Sequence, residues 1–352
     1  KTTTNISKEC AIQIINEIMI YKPNDCANQI NDIIQLITKL TRINDLPLKI
    51  SCLNTILGIL TTSGMKITDL HLEILKLTLK FSSDKSVEIR TIIANIMREL
   101  AINSMGFTTI SMEQLLLPCL KGLEEDITII QNTYAYSISI LLYEQINNYI
   151  IKQEQNKIDL ARGQNNNKIK KTITLSQRMS ITKLTMTSTK KIIEEYDVKS
   201  VIKYILQQII YSNNNIRIGY ILILNYLIKK IINIITIDEY EWCILSIIEI
   251  LNNNIIKEIN YEEQTYIKIR FSYIFRNSIL YNINETKLIT IVNILIKYIT
   301  TIETNNHSDL QLNFILNEIS YSIGILGMSA IVLVENVNMG VAIYLRYVWY
   351  CL

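Results

Sequence analysis

The sequence predicts an all-α fold, an α-solenoid of stacked helix pairs, on three observations. The chain resembles itself at an interval of 41 residues, and within each copy the apolar residues fall at helical spacing. Only nine Gly and three Pro occur in 352 residues, too few for the turns of a sandwich or barrel.

The repeat is clearest with Arg90 as origin. Ile89 precedes it, and Ile93, Ala94, Met97, Leu100 and Ala101 follow at +3, +4, +7, +10 and +11. Forty-one residues earlier, Lys49 is preceded by Leu48 and followed at the same offsets by Cys52, Leu53, Ile56, Ile59 and Leu60. Forty-one residues later, Gln131 is preceded by Ile130 and followed by Tyr134, Ala135, Ile138, Leu141 and Leu142. Arg217 repeats the pattern with Ile216, Tyr220, Ile221, Leu224, Leu227 and Ile228. A looser copy at Arg270 has Asn277 at +7, and a last one opens at Arg346 with Trp349 at +3. These offsets trace one face of an α-helix. Most copies are coupled to another amphipathic run, such as "ITDLHLEILKLTLKF", "TISMEQLLLPCLKGL", "DEYEWCILSIIEILNN" or "ETKLITIVNILIKYIT". Two helices in about 41 residues is the period of HEAT or armadillo units, roughly 40 to 47.

Each copy opens with a base, or in one case an amide, in the first helical turn, where the macrodipole disfavours positive charge. A compensating partner is therefore expected. Asp84, six residues before Arg90, falls in the polar turn where it can cap the coming helix, and Asp126 and residues 212–215 occupy comparable turns. In HEAT units an Asp and an Arg so placed bridge adjacent repeats. Lys49, Asp84, Arg90, Asp126, Gln131, Arg217, Arg270 and Arg346 are accordingly expected as structural joints rather than ligand-binding residues.

The organisation follows from where the period lapses. HEAT-like repeats are expected over 1–156 and 192–352, the second set stopping inside its last copy. Between them, 157–191 reads as a basic, partly disordered insert with a short helix near 175–186. Ten Lys or Arg face two acids from Lys152 to Lys191. Lys168, Lys170, Lys171 and Arg178 are the residues through which the insert would touch an acidic partner motif or an anionic membrane surface. The plainer and first reading of the same residues is a purely solvated insert, and the partner contact is the functional alternative to it. Nucleic acid is disfavoured because no aromatic residue interleaves these bases.

Composition narrows the function further. A net charge of +3 excludes a polyanion binder built on the whole chain. The cysteines at 10, 26, 52, 119, 243 and 351 form no CxxC and no Cys/His cluster, which suits reduced, buried thiols. His71 and His307 have no neighbour at metal-ligand spacing, and no phosphate loop, dinucleotide fingerprint, nucleophile elbow or zinc-protease motif occurs. Adjacent carboxylates such as Glu124 and Glu125 suit solvation. Nothing in the sequence argues for an enzyme or a cofactor. The longest clean apolar run, 323–334, falls short of the ~20 residues that span a bilayer. No signal peptide is visible in the sequence, and the opening Lys reads as the start of an excerpt from a longer chain.

In order, several segments resemble the N-terminal part of the HEAT-repeat-containing protein 5 family, large accessory proteins of the type-1 clathrin adaptor. The segments are "LPLKISCLNTILGIL", "SSDKSVEIRTIIANIMRELA", "MEQLLLPCLKGLEEDITIIQNTYAYSISILL", "KKTITLSQRMSITKL", "NNNIRIGYILILNYLIKKI" with "EYEWCILSIIEIL", "YIKIRFSYIFRNSIL", "LNEISYSIGILGMSAIVLVENV" and "LRYVWYCL". Where Gln131 stands the family usually has Arg, and its glycine-rich tract after the insert is replaced here by "TMTSTKKIIEEYDV". The resemblance implies a cytoplasmic scaffold, peripheral at Golgi or endosomal membranes, whose partners are clathrin adaptor subunits or their accessory proteins. Periodicity alone leaves open a nuclear transport receptor or chromosome-organising subunit, and a regulatory scaffold of a phosphatase or kinase.

Overall fold

The computed structural model describes residues 4–103, 111–161 and 196–251. The fold is all-α, with no strand among the described residues. Its helices are α1 (Asn5–Tyr21), α2 (Ile30–Leu40), α3 (Leu46–Ser63), α4 (His71–Leu79), α5 (Val87–Asn103), α6 (Met112–Lys121), α7 (Thr128–Ala161), α8 (Val198–Tyr211), α9 (Asn214–Ile231) and α10 (Ile237–Leu251). Helix α7 runs past residue 156, where the period in the sequence lapses.

Side-chain oxygens start most of these helices by accepting from orphan backbone N–H groups of the first turn. Thr4 accepts from Ser7, Asp45 from Leu48, Asp197 from Ser200 and Asn213 from Ile216. Ser111 and Gln114 form a reciprocal capping box at α6. At α5 the sequence points to Asp84 as the cap, but the chain places Ser86 there. The Ser86 hydroxyl faces the Ile89 N–H at 3.5 Å, while the Asp84 carboxylate accepts from the Ser86 N–H at 2.8 Å. Asp84 thus shapes the turn, because a short carboxylate reaches an N–H two residues on.

The most extensive contacts link α1 to α3, α3 to α5, α5 to α7 and α7 to α9, so the odd-numbered helices lie side by side in chain order. Helices α4, α6 and α8 pack against the following helices α5, α7 and α9. The stripes read from the sequence are the ones that disappear from solvent. Every residue at +3, +4, +7, +10 and +11 after Lys49, Arg90, Gln131 and Arg217 is buried. These residues belong to one core cluster running from Ile12 in α1 to Ile250 in α10. Such continuity follows from the pattern, since one helix pair cannot bury its own stripe.

Helix α1 supplies a further copy. Lys8 stands 41 residues before Lys49, and Ile12 and Met19, at its +4 and +11, are buried against α3. The apolar residues at Ile14 and Ile18 are exposed and blur the stripe, which is why the sequence alone hides this copy. The segment Leu46–Lys66 is long and apolar enough to cross a membrane by length and composition. Leu48, Cys52, Leu53, Ile56, Ile59 and Leu60 within it are buried, and the helix packs between α1 and α5. Of the cysteines, Cys52, Cys119 and Cys243 are buried, Cys26 is half-buried and Cys10 is exposed. Burial pushes the first three thiols up to about 12, which removes them from thiolate chemistry.

His71 is wholly buried at the start of α4, with Nε2 2.8 Å from the Gly64 carbonyl. A carbonyl only accepts, so Nε2 carries a proton and donates it to Gly64. Burial lowers its pKa, opposed by the Gly64 hydrogen bond and by Asp69. A depressed histidine binds fewer protons folded than unfolded. The stability it contributes is complete above the unfolded value near 6.5 and is lost as pH falls through the folded value. We expect the urea midpoint to fall as pH drops below about 6.5, and His71→Gln, which keeps an N–H for Gly64, to flatten that fall. Parallel pH profiles for the two proteins would show that His71 does not carry it.

Candidate functional site

Two features of the odd-numbered helices stand out: a row of polar joints along one edge, and an aromatic patch with two lysines on α7 and α9. The joints answer the question raised by the bases in the first turns. Arg217, buried at the start of α9, donates from Nε to the Ile209 carbonyl at 2.8 Å and from an Nη to the Ser212 carbonyl at 2.7 Å. Those carbonyls belong to the end of α8 and the turn after it. Gln131 in α7 donates to the Leu123 carbonyl of the preceding turn at 2.9 Å and across to the Asn215 carbonyl, in the first turn of α9, at 2.8 Å. Arg90 donates to the Asp84 carbonyl at 2.8 Å and the Lys85 carbonyl at 3.3 Å.

The shared task is to satisfy carbonyls at the end of the preceding helix or in the turn that follows. Positive charge that is unfavourable at the head of its own helix is favourable at the tail of the one before. A neutral amide at 131 does this work as a donor without the charge.

Beside the Gln131–Asn215 bond, further side-chain contacts in the same turns link neighbouring odd-numbered helices. Arg90 Nε lies 3.0 Å from Glu125 Oε1, a charge contact off the line of a hydrogen bond. The Asp126 carboxylate accepts from the Asn215 side chain, and the Asp45 carboxylate accepts from the Asn5 side chain at 3.1 Å. The expected pairing of Asp84 with Arg90 therefore takes another form. The guanidinium takes Asp84's backbone carbonyl, and the acid that bridges to the next unit is Glu125. No spacing rule in the sequence separates Glu125 from its neighbours Glu124 and Asp126. Lys49 makes only a 3.5 Å contact with the Asn44 side chain, and Lys8 one of 3.4 Å with Asn5. Gly219 in α9 packs so close to this edge that a Cβ there would lie 3.0 Å from Leu123. Arg270, Arg346, Lys168, Lys170, Lys171, Arg178 and His307 lie outside the described residues, as does the expected short helix.

The aromatic patch was invisible to motif searching because its members come from two helices far apart in sequence. Tyr136 and Tyr143 are seven residues apart and share a face of α7. Tyr226 of α9 meets Tyr136 edge-to-face with ring centroids 5.2 Å apart, and its hydroxyl donates to the Asn132 side chain at 2.7 Å. Lys230 Nζ sits over both Tyr136 and Tyr143, at 5.3 and 5.9 Å from their centroids. Lys229 Nζ lies 6.0 Å from the Tyr226 centroid. All five side chains are half-buried. Burial lowers the Lys229 pKa, and burial raises that of nearby Glu144 against the pull of Lys230. Rings that attract cations hold these ammoniums in place. Among the described residues, no carboxylate pairs with either lysine within ion-pair distance.

No group of His, Cys, Asp and Glu among the described residues could hold a metal ion. No known family model and no curated protein matches the chain.

Proposed function

We propose that the chain is a non-enzymatic α-solenoid scaffold of HEAT-like helix pairs, an accessory to clathrin-adaptor traffic between the trans-Golgi network and endosomes. One observation carries the scaffold reading: the odd-numbered helices contact one another in strict chain order over one continuous core. Stacking of nearest neighbours creates long surfaces for a protein partner rather than an enclosed reaction chamber. An open groove of about 1140 Å³ lies between the ends of α4, α6 and α8. Its walls include Glu124, Glu125, Tyr134 and Tyr204. The trafficking reading rests on the ordered resemblance of segments described above, and the basic insert at 168–178 is a second contact under it.

The test is to tag the full-length protein, locate it in cells and identify what purifies with it. Colocalisation with Golgi or endosomal markers together with adaptor subunits is expected. A wholly nuclear distribution, or a stoichiometric phosphatase or kinase in place of adaptor subunits, overturns the trafficking assignment.

A further inference from the structure

We propose that the patch formed by Tyr136, Tyr143, Tyr226, Lys229 and Lys230 binds an acidic peptide segment of a protein partner. The inference rests on the scaffold reading and names the chemistry of one of its contacts. Three aromatic rings from two helices form an apolar floor, and their edge-to-face packing and the Tyr226–Asn132 hydrogen bond keep it rigid. Two ammoniums stand over that floor, and among the described residues no carboxylate lies within ion-pair distance of either. Rigid rings and pre-placed cations lose little freedom on binding, which is the quality that makes tyrosine and charge effective in recognition.

Charge decides the occupant. Lys229 has already lost part of its hydration to burial, so an arriving carboxylate gains a strong partner at small further desolvation cost. Two cations are too few for a nucleic acid, whose affinity grows with the number of phosphates neutralised. They are also fewer than the clusters of roughly four to eight bases that hold anionic membranes. A short segment carrying two acids around one apolar or aromatic side chain satisfies both the lysines and the rings.

The experiment uses the full chain and a fluorescein-labelled dodecapeptide of Glu and Asp interspersed with Leu and Phe. Its controls are the same peptide with Lys at every acidic position, a single-stranded oligonucleotide of equal charge, and phosphatidylserine vesicles. Fluorescence anisotropy should show saturable binding of the acidic peptide alone. Lys229→Glu with Lys230→Glu should weaken it about tenfold or more, whereas Lys230→Arg and a control charge reversal at exposed Lys39 should leave it within about twofold. If the double reversal loses helicity by circular dichroism, Lys229→Gln with Lys230→Gln takes its place, with a smaller loss expected. Failure of the acidic peptide to bind overturns the proposal, as does equal loss on Lys39→Glu. Oligonucleotide or vesicle binding that vanishes with the same lysines also overturns it, in favour of that partner. None of these outcomes alters where the tagged protein resides, so the trafficking assignment is judged separately.

Discussion

Arg217→Ala should destabilise the protein by about 2 to 4 kcal/mol, because two carbonyls of the α8–α9 connection lose a charged donor inside the core. Arg217→Lys should recover little of this. A lysine ammonium cannot present the fork of N–H groups that spans Ile209 and Ser212 at once. Urea denaturation followed by circular dichroism measures the loss, with the slope compared between proteins so that a change in unfolded-state compactness is not mistaken for a change in stability. A loss below about 1 kcal/mol would mean that water or neighbouring donors satisfy those carbonyls, and that Arg217 is not a joint.

Gln131→Glu should be the more severe of two substitutions at that position, exceeding Gln131→Ala. Both remove the donor that reaches the Leu123 and Asn215 carbonyls. The glutamate also places a negative oxygen among acceptors in a site where residue 131 is buried. A cost of about 3 kcal/mol near neutral pH is expected. Its carboxyl would have a folded pKa raised above the unfolded value of about 4.3. The variant should therefore be least impaired at acid pH, and lose stability as pH rises through the folded value. Urea midpoints across pH for wild type, Gln131→Ala and Gln131→Glu decide the matter. Equal costs for the two variants at all pH values would show that the lost donor accounts for the whole effect and that a negative oxygen at residue 131 adds nothing to it. Gln131→Arg tests whether the charge carried at Arg90 and Arg217 is wanted here. Neutral stability is the expected result, since both side chains bring N–H donors to the same carbonyls.

Much of the architecture was legible because it depends on periodicity. Leu53, Ala94, Ala135 and Ile221 occupy the same phase, and all four are buried, since a helix must hide whichever face carries its apolar residues. The copy at Lys8 escaped notice because α1 carries apolar residues on exposed positions as well, so that its pattern alone has no single face. Capping was half legible. The turn before α5 holds both Asp84 and Ser86, and only the path of the backbone decides which side chain reaches the Ile89 N–H. The direction of the joints was not legible at all, because a guanidinium's partners include backbone carbonyls, which every residue carries.

The sequence by itself determined that the chain is helical, where its stripes lie and which first-turn positions carry the bases, since these follow from spacing along one strand of covalent bonds. Only the tertiary structure decided what those bases hold. It chose Glu125 over its acidic neighbours, sent Gln131 across to Asn215, and set Tyr226 and Lys230 against Tyr136 and Tyr143. Such pairings depend on how neighbouring helices are set against one another, through contacts between residues some 35 to 90 positions apart, and local pattern carries no information at that distance.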